Sequence, residues 1–225
     1  MRKIYLVRHG QSTANAGGDA QPNAQIELTE LGHQQAQEVA QWLSDTLGDN
    51  VASINVSSFV RTQQTAQPYL DQMQRQAQVI DGLEEFTCQS FAKINGLPFQ
   101  TRLAMVDEYW ASAQPDEAHG ADAESFLNFY QRVQQVLVYF QTLPKGNHVV
   151  YTHGYWISMV IWQLLGLSAD TQQEVAKFRQ FEKSIRAKNG EVFCLTLPES
   201  GFADSYPPSI TKARYCLDQF SDLSA

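Results

Sequence analysis

Cysteine is scarce in this sequence and poorly spaced for cross-linking. Cys88, Cys194 and Cys216 are the only three, an odd number with no Cys-x-x-Cys pair, which argues against both a disulfide framework and a structural zinc site. A reducing cytoplasm is the expected compartment. Positive charge is also in short supply: 16 Lys and Arg face 24 Asp and Glu, for a net charge of −8. That balance repels nucleic acid and anionic membrane surfaces, so neither is expected as a partner. Long apolar runs are missing as well. The first one, Ile4-Tyr5-Leu6-Val7, is stopped by Arg8 and His9 well short of a signal-peptide core, and nothing else approaches membrane-spanning length. Internal repeats and low-complexity tracts are absent, although glutamine is frequent.

What remains is a globular composition. Hydrophobic residues make up 43% and charged residues 18% of 225 residues, with apolar positions spread along the whole length, which excludes wholesale disorder. One domain over residues 1–225 is expected, while the oligomeric state is left open.

Lys3 to Val7 reads as a buried strand and is followed at once by Arg8-His9-Gly10. After a loop at Gly17 to Asn23, Thr29 is placed to cap a helix with Leu31, Ala36, Val39, Ala40, Leu43 and Leu47 on its apolar face. A strand from Val51 to Val56 leads through Ser57-Ser58 into a second helix from Phe59, and Gln78 to Ile80 suits a short strand. Residues 86–123 show no clean period and are read as an insertion whose aromatics, Phe91, Phe99, Tyr109 and Trp110, form a small core of their own rather than a lid. A helix capped near Asp122 follows, then a strand Val149 to Tyr151, Thr152-His153-Gly154, a helix from about Trp156 to Leu165, and a late strand Val192 to Leu197. Residues 198–225, with Pro198, Pro207 and Pro208, read as an irregular extension, and Lys177 to Lys188 as a solvated helical face. Strands alternating with helices predict an α/β fold with a largely parallel sheet, whose ligands gather at the carboxyl ends of its strands.

Two strands end in the same way, in Arg8-His9-Gly10 and in Thr152-His153-Gly154. A single such histidine is most simply a loop residue satisfied by backbone groups, but two of them at strand ends point to a shared site. Glycine after each lets backbone and ligand approach closely, and the following helix N-terminus offers N–H groups to an anion. A third strand end brings Arg61 into the first turn of a helix, where a cation opposes the helix dipole unless an anion lies nearby. Arg8 and Arg61 together make a planar, permanently charged clamp for phosphate oxygens. By themselves Glu84 and Glu85 read as a solvated turn.

On these residues the chain resembles the histidine phosphatase superfamily, in the branch that also contains cofactor-dependent phosphoglycerate mutases. The matching stretches are Arg8-His9-Gly10-Gln11-Ser12-Thr13-Ala14-Asn15, Leu28 to Ala36, Ser57 to Ala66, Leu83-Glu84-Glu85, Glu124-Ser125-Phe126 and Thr152-His153-Gly154. The resemblance implies a phosphoglycerate mutase-like three-layer α/β/α sandwich with an insertion after the acid residue. It implies His9 as the phosphorylated nucleophile, Arg8, Arg61 and His153 holding the phosphoryl group, Asn15 and Gly154 at the substrate, and Glu85 as proton donor. In the family's pattern the acid stands two residues after leucine, which selects Glu85 over Glu84, with Glu124 as the next candidate. No metal or cofactor is implied, and a small phosphate ester is the expected substrate.

The match departs from the family in one stretch. Many relatives carry glycine-x-tryptophan-glutamate-glycine just after the acid, whereas this chain has Phe86-Thr87-Cys88-Gln89-Ser90-Phe91. The further signature of the phosphoglycerate mutases around the acid is absent, which favours a phosphatase over a mutase. A non-catalytic phosphate sensor would not need a nucleophile, and the strand-end aspartates of a metal-dependent phosphoesterase are missing. His33, His119 and His148 have no metal-ligand spacing and are assigned no role.

Overall fold

In a computed structural model the chain is described over residues 1–198 and 207–216. Strands β1 (Arg2–Arg8), β2 (Ser53–Val56), β3 (Gln78–Val79), β4 (Gly146–Thr152), β5 (Val192–Leu197) and β6 (Ser209–Arg214) form one sheet in the order β3-β2-β4-β1-β5-β6. The first four run parallel, while β5 lies antiparallel to β1 and β6 antiparallel to β5. Helices cover both faces, so the architecture is a three-layer α/β/α sandwich.

Strand alternation decides which helices go where. Tyr5 and Val7 of β1, with Val149 and Tyr151 of β4, pack on helices α1 (Glu30–Leu47) and α2 (Val60–Met73). Ile4, Leu6 and Val150 point the other way. After the short α3 (Phe91–Ile94), which adds nothing to the core on that side, four helices meet these side chains: α4 (Phe99–Ser112), α5 (Phe126–Thr142), α6 (Gly154–Leu164) and α7 (Gln172–Ile185). Both faces of the central strands are buried, as a parallel sheet requires. Thr29 caps α1 by accepting from the Gly32 N–H, 3.1 Å away.

Four expectations are corrected. Residues 86–123 contain two helices; α4 carries apolar residues at 99, 103, 106 and 110, but Pro98 before it makes no side-chain cap, so its start is unmarked in sequence. Tyr109 and Trp110 do not form a separate small core: they join Phe86, Phe126, Phe129 and Phe178 in the main one. The cap of α5 is Ser125, while Asp122 instead accepts from the Ser90 hydroxyl and the Phe91 N–H. Residues 198–225 are not wholly irregular, because Ser209–Arg214 pairs with β5 as the sheet edge; the rest of that expectation, at 199–206 and 217–225, lies outside the described residues.

Candidate active site

Parallel register brings the three strand ends side by side. Arg8 pairs with Thr152 across β1 and β4, and Val56 pairs with Tyr151 across β2 and β4. The next residues along each strand, His9, His153 and Ser57, are therefore neighbours, with the two imidazole centroids 5.2 Å apart. Arg8, His9, Asn15, Arg61, Glu85 and Gly154 all line one cavity of about 240 Å³. His153 is fully buried behind it, its Nε2 3.0 Å from the Ser57 hydroxyl, and its Nδ1 makes no hydrogen bond.

The tautomer of His9 follows from its partners. Nδ1 lies 2.7 Å from the Gly10 carbonyl oxygen, which can only accept, so Nδ1 carries the proton. Nε2 is then bare, and it accepts from Arg61 Nε at 3.1 Å. Burial above all, then the charges of Arg61 and Arg8, hold the His9 pKa well below its ordinary 6.5, against the upward pull of the Gly10 bond. His153 is lowered by the same causes, burial first and Arg61 second. Arg61 itself is lowered to about 10 by burial and by Arg8, with Glu85 opposing; it remains cationic at neutral pH. Its Nη1 donates to the Asn23 carbonyl at 2.7 Å, and Arg8 Nη1 donates to the Ala187 carbonyl.

Glu85, not Glu84, faces the cavity. The Glu85 carboxylate accepts from the backbone N–H groups of Phe86, Tyr155 and Trp156 at 3.0, 3.1 and 3.2 Å. The open N–H groups of α6, expected for a ligand anion, are thus partly taken by this buried carboxylate. Burial raises the Glu85 pKa above 4.5, against lowering by Arg61, by the Tyr155 and Phe86 N–H groups and by Arg8. Glu84 is occupied elsewhere, by the Ser58 hydroxyl at 2.9 Å and the Gly82 N–H at 2.8 Å. Glu124 does not line the cavity: it pairs with Arg132, whose Nη1 donates to the carbonyls of Gly82 and Glu84 at 2.9 and 2.8 Å and so fixes the acid-bearing loop.

The two glycines after the histidines act differently. A Cβ on Gly154 would stand 3.3 Å from Arg8 Nε, so this glycine leaves room for the clamp. One on Gly10 would stand 2.3 Å from the Gly32 carbonyl oxygen, so Gly10 serves the approach of its loop to α1 rather than to a ligand.

Several contributors were not visible in the sequence. Asn189 Nδ2 donates to the His9 carbonyl at 2.9 Å and lies 3.2 Å from Asn15 Oδ1, which also accepts from the Ser12 N–H and hydroxyl. The Asn189-Gly190 dipeptide signals a turn, but not its partner. The stretch read as a solvated face belongs to α7, where Arg179 is 5% and Glu182 0% exposed. Glu182 and Arg186 line the cavity, Arg186 binding the Glu182 carboxylate through Nε and Nη2, and Arg179 Nη1 donates to the Tyr155 hydroxyl at 2.7 Å. Charges buried by mutual pairing look solvated in one dimension. His148, on β4, is held between the Ser53 hydroxyl and the Pro144 carbonyl. Among the described residues no group of three or more His, Cys, Asp or Glu is placed to hold a metal ion, and no helix is long and apolar enough to cross a membrane.

Residues 4–185 match a family model described as histidine phosphatase superfamily (branch 1). The chain is similar to the probable phosphoglycerate mutase GpmB of Erwinia tasmaniensis, with 28% identity over 182 residues, covering 78% of this chain and 80% of that relative. Among solved structures it is similar to a phosphoserine phosphatase from Entamoeba histolytica in complex with 3-phosphoglyceric acid, with a TM-score of 0.69 and 23% identity over 94% of this chain and 96% of the other. The alpha-ribazole phosphatase from Shigella flexneri gives a TM-score of 0.66 and 23% identity, covering 87% and 91%. These two likenesses concern the fold.

Proposed function

The chain belongs to the histidine phosphatase superfamily, branch 1, and on that footing we propose that it hydrolyses a small phosphomonoester through a phosphohistidine on His9. The observation that carries this reading is the unprotonated His9 Nε2, facing Arg61 Nε, in a cavity lined by Arg8, Arg61 and Glu85. Phosphoryl transfer through a loose transition state asks the protein mainly for positioning and charge stabilisation. Arg8 and Arg61 supply permanent charge, and buried His153 lies beside the nucleophile. In the first step the Nε2 lone pair attacks phosphorus, the ester P–O bond breaks, and protonated Glu85 gives its proton to the departing oxygen. In the second, water attacks phosphorus, Glu85 takes a proton from it, the P–N bond breaks, and phosphate leaves with His9 neutral again. No metal is needed for either step. Three widely spaced cysteines with no Cys-x-x-Cys pair suit a reducing compartment such as the cytoplasm.

Turnover stopped in alkali is expected to leave phosphate on the protein in an acid-labile, alkali-stable bond that is absent in His9→Ala. Activity on an aryl phosphate is expected to survive EDTA and to be inhibited by vanadate. Label on a serine or aspartate, or activity lost to EDTA and restored by a divalent ion, would count against the mechanism.

The relatives named as probable phosphoglycerate mutases support a second reading, transfer of the phosphoryl group back to a phosphoglycerate. Hydrolysis is preferred because Arg186, the further cation on the cavity wall, is bound to buried Glu182 instead of being set out for a substrate carboxylate. Interconversion of 2- and 3-phosphoglycerate, primed with the bisphosphate, faster than phosphate release would reverse that preference.

A further inference from the structure

We propose that the trough beside the catalytic cavity is the leaving-group subsite, and that it takes an uncharged apolar ring or chain. The inference rests on the phosphatase reading above and names the class of ester. The cavity around His9, about 240 Å³, lies below the roughly 300–1,000 Å³ of pockets that enclose a whole drug-sized ligand, so a bulky ester with its phosphoryl group at His9 must extend beyond it. A second hollow of about 450 Å³ adjoins it, and the two share Ala14, Asn23, Ile26, Phe86, Cys88 and Val106 in their walls.

The trough runs between the loop around residues 14–26 and the segment carrying α3 and α4. Half-buried Pro22, Phe59, Phe91 and Ile94 give it an apolar surface. Phe59 ties it to the reacting centre, because its ring lies 4.9 Å from the Arg61 guanidinium carbon and 5.2 Å from the His153 ring. The charged groups in the lining do not favour a second anion. Asp19 and Asp122 are acidic, and Arg102, although its buried Nε makes no hydrogen bond, donates through Nη2 to the Gly18 carbonyl and lies over the Phe99 ring. Water on such a surface is readily displaced by hydrocarbon, whereas a carboxylate there would lose hydration and meet like charge.

The test separates binding from turnover. Ethylphosphonate and 4-phenylbutylphosphonate have P–C bonds that cannot be hydrolysed, so calorimetry reads the subsite even in the absence of activity. The phenylbutyl compound is expected to bind at least about ten-fold more tightly, the scale on which an apolar pocket discriminates. Ile94→Asp and Phe91→Ser, which touch the trough alone of the two hollows, are each expected to bring the ratio towards one. Val138→Asp, on an exposed position outside both hollows, is expected to keep it. The corresponding phosphate esters, whose alkoxides are equally poor leaving groups, should show the same ratio in kcat/KM, mainly through KM. Equal affinity for the two phosphonates, or a ratio untouched in both trough variants, overturns the subsite. Selective phosphonate binding without His9-dependent hydrolysis of either ester leaves the subsite standing and overturns the phosphatase reading instead.

Discussion

Glu85 is pulled in two directions. Burial raises its pKa, while Arg61, two backbone N–H groups and Arg8 lower it, and burial prevails. A group in that balance keeps its proton above pH 4.5, where an ordinary glutamate has lost it, and gives it up as pH rises further. An alkyl alkoxide needs that proton to leave, whereas a nitrophenolate does not. Glu85→Gln is therefore expected to slow single-turnover transfer from an alkyl phosphate by about 100- to 10,000-fold and transfer from p-nitrophenyl phosphate far less. Glu84→Gln, whose carboxylate is engaged with Ser58 and Gly82, should treat both substrates alike; leaving-group sensitivity appearing there would move the acid by one residue. The pH profile offers an independent check. His9 stays neutral well below pH 6.5, so the alkyl rate should fall as pH rises, through loss of the Glu85 proton, without an acid limb near 6.5. Quench-flow between pH 5 and 8 should find that fall flattened in Glu85→Gln.

At the scale of the elements, the β1 loop meets α1 backbone to backbone: of the described glycines, Gly32 leaves the least room for a Cβ. A Cβ on Gly32 would lie 2.1 Å from the Gln11 carbonyl oxygen, against backbone on both sides. The same loop is fixed by the Gln35 side chain, which accepts from the Gln11 N–H at 2.7 Å, and by Thr65, which accepts from the Gly10 N–H at 3.0 Å. Nothing there is a flexible side-chain end that gives way cheaply. Gly32→Ala should cost about 1–3 kcal/mol and lower the Tm by roughly 2–4 °C for each kcal/mol. Because the displaced loop carries His9, kcat should drop well beyond what the unfolded fraction explains. Thermal unfolding and activity measured on one preparation decide this, and a normal kcat at normal Tm would sink the argument.

At the scale of the whole molecule, stability should depend on pH through the buried histidines. His9 and His153 are depressed in the folded protein and ordinary, near 6.5, when unfolded. Below 6.5 the unfolded chain takes up protons that the folded one refuses, so stability falls as pH falls, by about 1.4 kcal/mol per pH unit for each such proton. Glu85 has the opposite sign. Its raised pKa lets the folded state hold a proton that the unfolded state has lost, which makes folding more favourable on acidification from the raised value towards 4.5. Denaturant unfolding at pH 7.5, 6.5 and 5.5 should lose stability on acidification. The loss should be shallower in His153→Gln, which removes one histidine, and steeper in Glu85→Gln, which removes the opposing carboxyl.

The sequence by itself determined the alternation of strands and helices, the Thr29 cap and the placing of His9 and His153 at strand ends, because these are local matters of period, capping and composition. The family pattern added Glu85, which charge and spacing alone read as a solvated turn. Only the tertiary structure decided that Asn189 holds the His9 carbonyl and that Arg214 of β6 holds the Gly190 carbonyl beside it at 2.7 Å. Those props lie beyond residues 4–185, where the family match ends, and a contact between residues 180 positions apart leaves no periodic trace. The same holds for Arg179, Glu182 and Arg186. Their charge reads as solvation along the chain: the pairing of Glu182 with Arg179 and Arg186 is local, at i,i+3 and i,i+4, but only packing α7 against the core buries it.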